Sequence, residues 1–148
     1  MRALGAAGEA LIKSFEKLRF DAYLDEAGVW TAGWGHTGVD VQEGVTCSAE
    51  QAEVWFADDT AKAVHAVNQS LMPTAAEAIN QNQFDALVSF TYNVGVGAEA
   101  HSTLLKYVNA RAWNQAAEEF GKWIRSGGHV SVGLMRRRAA ERALFLTP

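Results

Sequence analysis

The strongest constraint on this chain lies between residues 16 and 37, where an amphipathic helical stretch gives way to a hairpin pattern punctuated by glycines. Leu11, Phe15 and Leu18 recur at i, i+4 and i+7, Ile12 widens the apolar stripe, and Glu16 closes the stretch. Ile12 lies one turn behind Glu16, so this carboxylate borders the apolar face and is expected to be partly desolvated. The negative end of the helix dipole also disfavours its charge. Both effects favour the protonated form, as a general acid requires.

Phe20 to Leu24 and Val29 to His36 read as two strands around Glu26-Ala27-Gly28. A three-residue hairpin loop with glycine at its left-handed position fits that spacing. If Asp25 pairs opposite Val29, Tyr23 falls opposite Thr31. Asp25 and Thr31 then project diagonally from one face. Glu16, arriving from the helix end, can face them across a cleft. The two carboxylates and the hydroxyl thus form the pattern E-x8-D-x5-T.

A chain of 148 residues suits one domain, 1–148, with room for a core. Its 49% hydrophobic and 20% charged residues fit a globular protein, and no apolar run approaches membrane-spanning length. No basic segment followed by a continuous apolar stretch marks an export signal. The single cysteine, Cys47, excludes an intrachain disulfide and has no local metal-ligating partner, so it is expected to be a packing thiol. The net charge of −4 divides into −9 over residues 1–100 (5 Lys+Arg, 14 Asp+Glu) and +5 over residues 101–148 (8 against 3). The basic third either contacts an anionic surface or forms a solvated face with internal ion pairs.

Ser48 to Gln51 form a capping box that should start a helix toward Leu71, with Pro73 as its stop. Trp55, Ala61, Val64, Val67 and Leu71 give its approximate apolar period, with a kink or change of face at Asp58-Asp59. Val39 and Val41 suggest a short third strand. Asn80 to Gln83 cap a helix through Val94 that ends at Gly95 and is apolar nearly all round, as a buried central helix would be. Ser102 can cap a helix through Val108, residues 112–124 form another that Gly127-Gly128 breaks, and Gly133 to Phe145 form the last.

Three of these segments resemble phage-type lysozymes, glycoside hydrolase family 24. In that family a Glu is followed by A-Y-x-D-x-x-G-x-x-T-x-G-W-G-H-T. This chain has Ala22-Tyr23-Leu24-Asp25, Gly28, Thr31 and Gly33-Trp34-Gly35-His36-Thr37. The run from Gln83 to Gly95 resembles Q-x-D-A-L-x-S-F-x-Y-N-x-G, and that from Gly133 to Phe145 resembles G-L-x-x-R-R-x-x-E-x-x-L-F. Two departures occur: Lys17 follows the Glu where the family usually has Gly, and Ala32 replaces a usual Ile. The resemblance implies an α+β lysozyme-like fold, with a small β-hairpin lobe, a larger helical lobe and a cleft between them.

Cleaving a glycosidic bond needs a proton for the leaving oxygen and a carboxylate near the anomeric carbon. Glu16 fits the acid, and Asp25 fits either a nucleophile or the group that activates water. The resemblance implies that Thr31 positions that water, that the anomeric centre inverts, and that Arg137 lies beside the acid. Such a pair would favour the ionised acid and oppose desolvation and the dipole; Arg137 also fits an i,i+4 pair with Glu141. His36 is expected to be structural, bonded to a carboxylate on the following helix. Gly33 and Gly35 either let a sugar approach the backbone or permit a tight bend. By resemblance Tyr92 and Asn93 line a saccharide cleft, with Thr37, Ser102 and Thr103 as weaker candidates for the same wall.

The expected activity is that of a muramidase acting on peptidoglycan, with no metal or organic cofactor. The resemblance further implies a phage lysis protein held in the host cytoplasm until a holin opens the inner membrane. The chain is expected to act as a monomer on the periplasmic wall, without nucleic acid and without stable membrane insertion. A lytic transglycosylase and a catalytically silent wall-binding module are the rival readings.

Overall fold

The computed structural model describes residues 1–148. Helix α1 (Ala6–Glu16) leads into strands β1 (Arg19–Leu24) and β2 (Trp30–Gly33), then the long helix α2 (Ala49–Ser70). The remaining order is α3 (Pro73–Ala78), α4 (Gln81–Val94), α5 (Val96–Ala100), α6 (Thr103–Asn109) and α7 (Trp113–Glu119). A 3-10 turn (Phe120–Lys122), strands β3 (Arg125–Ser126) and β4 (His129–Val130), and α8 (Val132–Phe145) complete it. No helix is long and apolar enough to cross a membrane.

Helix α4 is the axis of the larger lobe. Phe84, Ala86, Leu87, Val88 and Phe90 are all buried, and α1, α2 and α8 pack around them. Its N-terminus is closed by the expected capping box, in which Asn80 accepts from the Gln83 backbone and the Gln83 side chain accepts from the Asn80 backbone. Phe90, Phe120 and Phe145 meet edge-on at 5.5–5.7 Å, joining α4 to the C-terminal elements.

The start of α1 is held by α4 rather than by its own residues. Buried Asp85 accepts from the backbone N–H of Gly5 at 2.8 Å and of Gly8 at 3.1 Å, satisfying donors that a helix N-terminus leaves open. A Cβ at position 8 would lie 2.7 Å from that of Asp85, so the close approach requires glycine there. This anchor fixes the direction in which α1 delivers Glu16 to its far end.

Strands β1 and β2 pair antiparallel, with Tyr23 opposite Thr31 as the loop length predicts and Gly28 at φ +78° in the turn. Strand β2 ends at Gly33 instead of running to His36. Gly33 and Gly35 both adopt positive φ, and the chain folds back so that Ala32 and His36 exchange two backbone hydrogen bonds. Val39 and Val41 form no strand. The third chain segment at the hairpin comes from Val45 to Cys47, with the Ala22 N–H donating to the Val45 carbonyl and the Cys47 N–H to that of Phe20.

Helix α2 runs unbroken past Asp58-Asp59 and ends before Pro73, which instead opens α3 at its first position. Its buried face is Ala52, Phe56, Thr60, Ala63 and Val67, whereas Ala61 is exposed. The helix expected over residues 112–124 stops earlier, and Gly127-Gly128 forms the two-residue turn of the β3–β4 hairpin, both glycines having positive φ.

Candidate active site

Helix α1 ends at Glu16 because the next residue, Lys17, turns to φ 53°. That left-handed conformation accounts physically for the glycine that phage-type lysozymes usually carry there. The Glu16 carboxylate then faces a cavity of about 600 Å³ lined from both lobes. Tyr23, Asp25, Glu26 and Thr31 come from the β1–β2 hairpin. Asn93, Trp123, Arg125, Ser131 and Arg137 come from the other side.

Each hairpin group is oriented by backbone. Oδ1 of Asp25 accepts from the N–H groups of Ala27 and Val29, both at 2.9 Å, which leaves Oδ2 without a protein partner. Asp25 is therefore a turn residue and a cleft residue at once. The Thr31 hydroxyl is buried and donates to the Val29 carbonyl at 2.9 Å. With its proton committed, its lone pairs can only accept, as from the O–H of a water. Burial and the nearby Glu16 charge push the Tyr23 hydroxyl above its usual range, so it stays protonated as a donor.

Behind Glu16 lies a buried charge network. Arg137, 3% exposed, pairs with Glu16 through Nη1 and donates through Nη2 to the Ser89 carbonyl at 3.1 Å. Its Nε reaches Glu141 at 3.4 Å, so the acid pair and the i,i+4 pair coexist. Glu141 is fully buried and also accepts from the Ser89 hydroxyl at 2.7 Å. Nε of Arg138 lies 2.7 Å from its other oxygen, close enough for an ion pair although poorly aligned for a hydrogen bond. Burial pushes the Glu141 carboxyl up, against the pull of both arginines, and lowers the Arg138 guanidinium to about 10.

Four of the eight basic residues beyond position 100 are engaged in ion pairs: Lys122, Arg137, Arg138 and Arg142. Half of these basic residues are thus paired, but Glu118, Glu119 and Glu141 lie in the same segment, so only the pair with Glu16 draws on its excess of +5.

The predicted residues do not all converge. Glu16, Asp25, Thr31, Asn93 and Arg137 share the cavity. Gly35 lies behind the acid: a Cβ there would fall 1.9 Å from Oε2 of Glu16, at φ +82°. Its absence of side chain makes room for the carboxylate rather than for a sugar. Thr37 and Tyr92 line a separate depression with Asp59, Lys62 and Val96. The Tyr92 hydroxyl donates to the Trp34 carbonyl at 2.5 Å, and burial raises its titration far above the usual range. Ser102 is buried, where its hydroxyl caps α6, and Thr103 lines neither cavity.

His36 is held as expected by α2. Its Nδ1 lies 2.7 Å from Asp59 and its Nε2 3.0 Å from Asp40, and the ring stacks on Trp55 at 4.5 Å. This clamp ties the turn after β2 to the helical lobe. What the sequence reading missed is the β3–β4 wall, including Arg125 and Ser126, and the link from Arg138 to Asn93. Gly127-Gly128 between two short segments is a hairpin signal that could have found the wall.

The family model described as Phage lysozyme matches residues 13–141. The chain is 48% identical over 146 residues to the endolysin of Bacillus phage B103, covering 97% of this chain and 54% of that protein. It thus spans about half the length of the Bacillus phage endolysins that it matches. Among solved structures it resembles the muramidase domain of SpmX from Asticaccaulis excentricus, with TM-score 0.85 and 40% identity over all of both chains. The endolysin from Escherichia coli O157:H7 phage FAHEc1 superimposes with TM-score 0.84 at 38% identity, covering 98% of this chain and 94% of that one. The α+β architecture, the paired lobes and this sequence match agree, and the chain belongs to the phage lysozyme family.

Proposed function

We propose that the chain is an N-acetylmuramidase that hydrolyses β-1,4 bonds between N-acetylmuramic acid and N-acetylglucosamine in peptidoglycan. The observation that carries this reading is the convergence of Glu16 from the helical lobe with Asp25 and Thr31 from the hairpin on one cavity large enough for sugar rings. Glu16 donates its proton to the glycosidic oxygen as the bond from that oxygen to the anomeric carbon breaks. Arg137 meets the negative charge left on the carboxylate. A water held by Oδ2 of Asp25 and the Thr31 lone pairs attacks the anomeric carbon and gives a proton to Asp25. This water route inverts the anomeric centre.

The endolysin relatives favour a role in phage lysis of the host. We propose that the protein reaches the periplasmic face of the wall through a membrane opened by a holin. We propose that the protein acts as a monomer, the acid, the second carboxylate and the hydroxyl of the scheme being supplied by a single chain. Neither nucleic acid nor a cofactor enters the scheme.

Digestion of purified peptidoglycan, with mass analysis of the fragments, tests the reaction. New reducing muramic acid ends support hydrolysis, whereas 1,6-anhydro ends would assign a lytic transglycosylase. A Glu16→Gln variant should release no fragments while still sedimenting with walls. Full lysis by that variant would remove Glu16 as the acid.

A further inference from the structure

Asn93 lines the cavity, yet one end of its amide is already committed. Its Oδ1 accepts from Nη2 of Arg138 at 2.7 Å. Arg138 is 1% exposed, lies 5.1 Å over the Phe90 ring and is paired with Glu141, so it cannot swing away to follow a ligand. A guanidinium has only donors, so chemistry alone requires the amide oxygen to face inward. The exposed end of Asn93 is consequently the NH2 group.

We infer that Arg138 is a positioning residue that fixes the polarity of Asn93, so that this wall of the cleft offers a hydrogen-bond donor and selects a carbonyl or hydroxyl oxygen on the saccharide. This rests on the muramidase reading and adds to it a specificity device outside the acid and its water. Glu141 serves both halves of the site through the same carboxylate. It holds Arg137 toward Glu16 and Arg138 toward Asn93. The N-acetyl carbonyl is a strong neutral acceptor on each sugar of such a substrate, and a de-acetylated sugar presents an amine in its place.

The test is Asn93→Asp, which keeps size and shape but replaces the outward donor with an acceptor. The inward oxygen still meets Arg138, now with a full countercharge, so the melting temperature should hold or rise. On soluble N-acetylglucosamine–N-acetylmuramic acid oligomers, KM should rise about tenfold or more, with kcat changed much less. Arg138→Met, which frees the amide to turn, should also raise KM, and Arg138→Lys, which keeps a donor for Oδ1, should restore it. If Arg138→Met does not fold, Asn93→Asp decides alone. An Asn93→Asp enzyme with wild-type KM, or one melting several degrees lower, overturns the inference. Wild-type protein that releases no reducing ends from the same oligomers would instead overturn the muramidase reading.

Discussion

Replacing Arg137 by Met should damage the fold and the chemistry together, because one guanidinium serves both. On the stability side, Arg137→Met leaves Glu141, with no exposed surface, facing Arg138 alone, and removes a donor from the Ser89 carbonyl. Breaking one partner from a buried ion pair costs about 3–5 kcal/mol. Arg138 still compensates part of the charge, so the low end, about 3 kcal/mol, is expected. At this chain length that lowers Tm by roughly 9 °C. On the chemical side, the charge appearing on Glu16 during proton transfer loses its countercharge. A full charge about 4 Å away at an effective dielectric constant of about 20 is worth roughly 4 kcal/mol. A half-developed charge is worth roughly 2 kcal/mol, or about 30-fold in kcat. Arg137→Lys keeps the charge without the fork and should fall between the two. Thermal melts and turnover of wall fragments at the pH optimum read both effects. A Met variant that melts within about 2 °C of wild type and turns over within about threefold of it would refute this account of Arg137.

Other residues give further tests. Gly35→Ala places a methyl group 1.9 Å from Oε2 of Glu16 and must displace the acid. An error of about 1 Å in a reacting group can cost about 100-fold, so wall lysis should fall by that order, and unchanged lysis would contradict the packing. Lys17→Gly relieves a side chain held at φ 53° and should stabilise the protein by about 1 kcal/mol after the greater entropy of an unfolded glycine, visible as a Tm rise of roughly 3 °C. Glu99 is 1% exposed, accepts from Ser70 at 2.8 Å and has no partner on Oε2, and burial raises its carboxyl above the ordinary 4.5. The folded state therefore keeps a proton that the unfolded chain releases. Its stabilising effect is complete below pH 4.5 and is lost as the pH rises through the folded value. In urea melts, Glu99→Gln should gain stability relative to wild type from pH 4 to pH 7.5. A constant difference would show that Glu99 does not titrate in that window.

The sequence makes the hairpin legible because loop length and a single glycine set its register, and the side-chain period of two then places Asp25 and Thr31. Glu16 is legible because the apolar stripe ends beside it. The buried face of α2 is harder to read, since Ala52, Thr60 and Ala63 carry little apolar contrast with their neighbours while Trp55, the most conspicuous residue, is only half-buried. Strands of two residues, such as β3 and β4, are too short to show any alternation. Adjacent positions on a helix diverge by about 100°, which is why Asn93 faces the cavity while Tyr92 turns to the Trp34 carbonyl. A sequence motif lists such neighbours together; only the helix phase separates them. Arg138 escaped notice for a related reason, because three adjacent arginines look alike until burial distinguishes them.

The central claim is that a water activated between Asp25 and Thr31 completes the cleavage that Glu16 begins. Proton NMR of soluble N-acetylglucosamine–N-acetylmuramic acid oligomers during cleavage, read before the new reducing end mutarotates, examines that step directly. The account predicts that the α anomer of the new muramic acid end appears first, because water attacks the face opposite the leaving β oxygen. The β anomer appearing first, or fragments ending in anhydro rings, would contradict it.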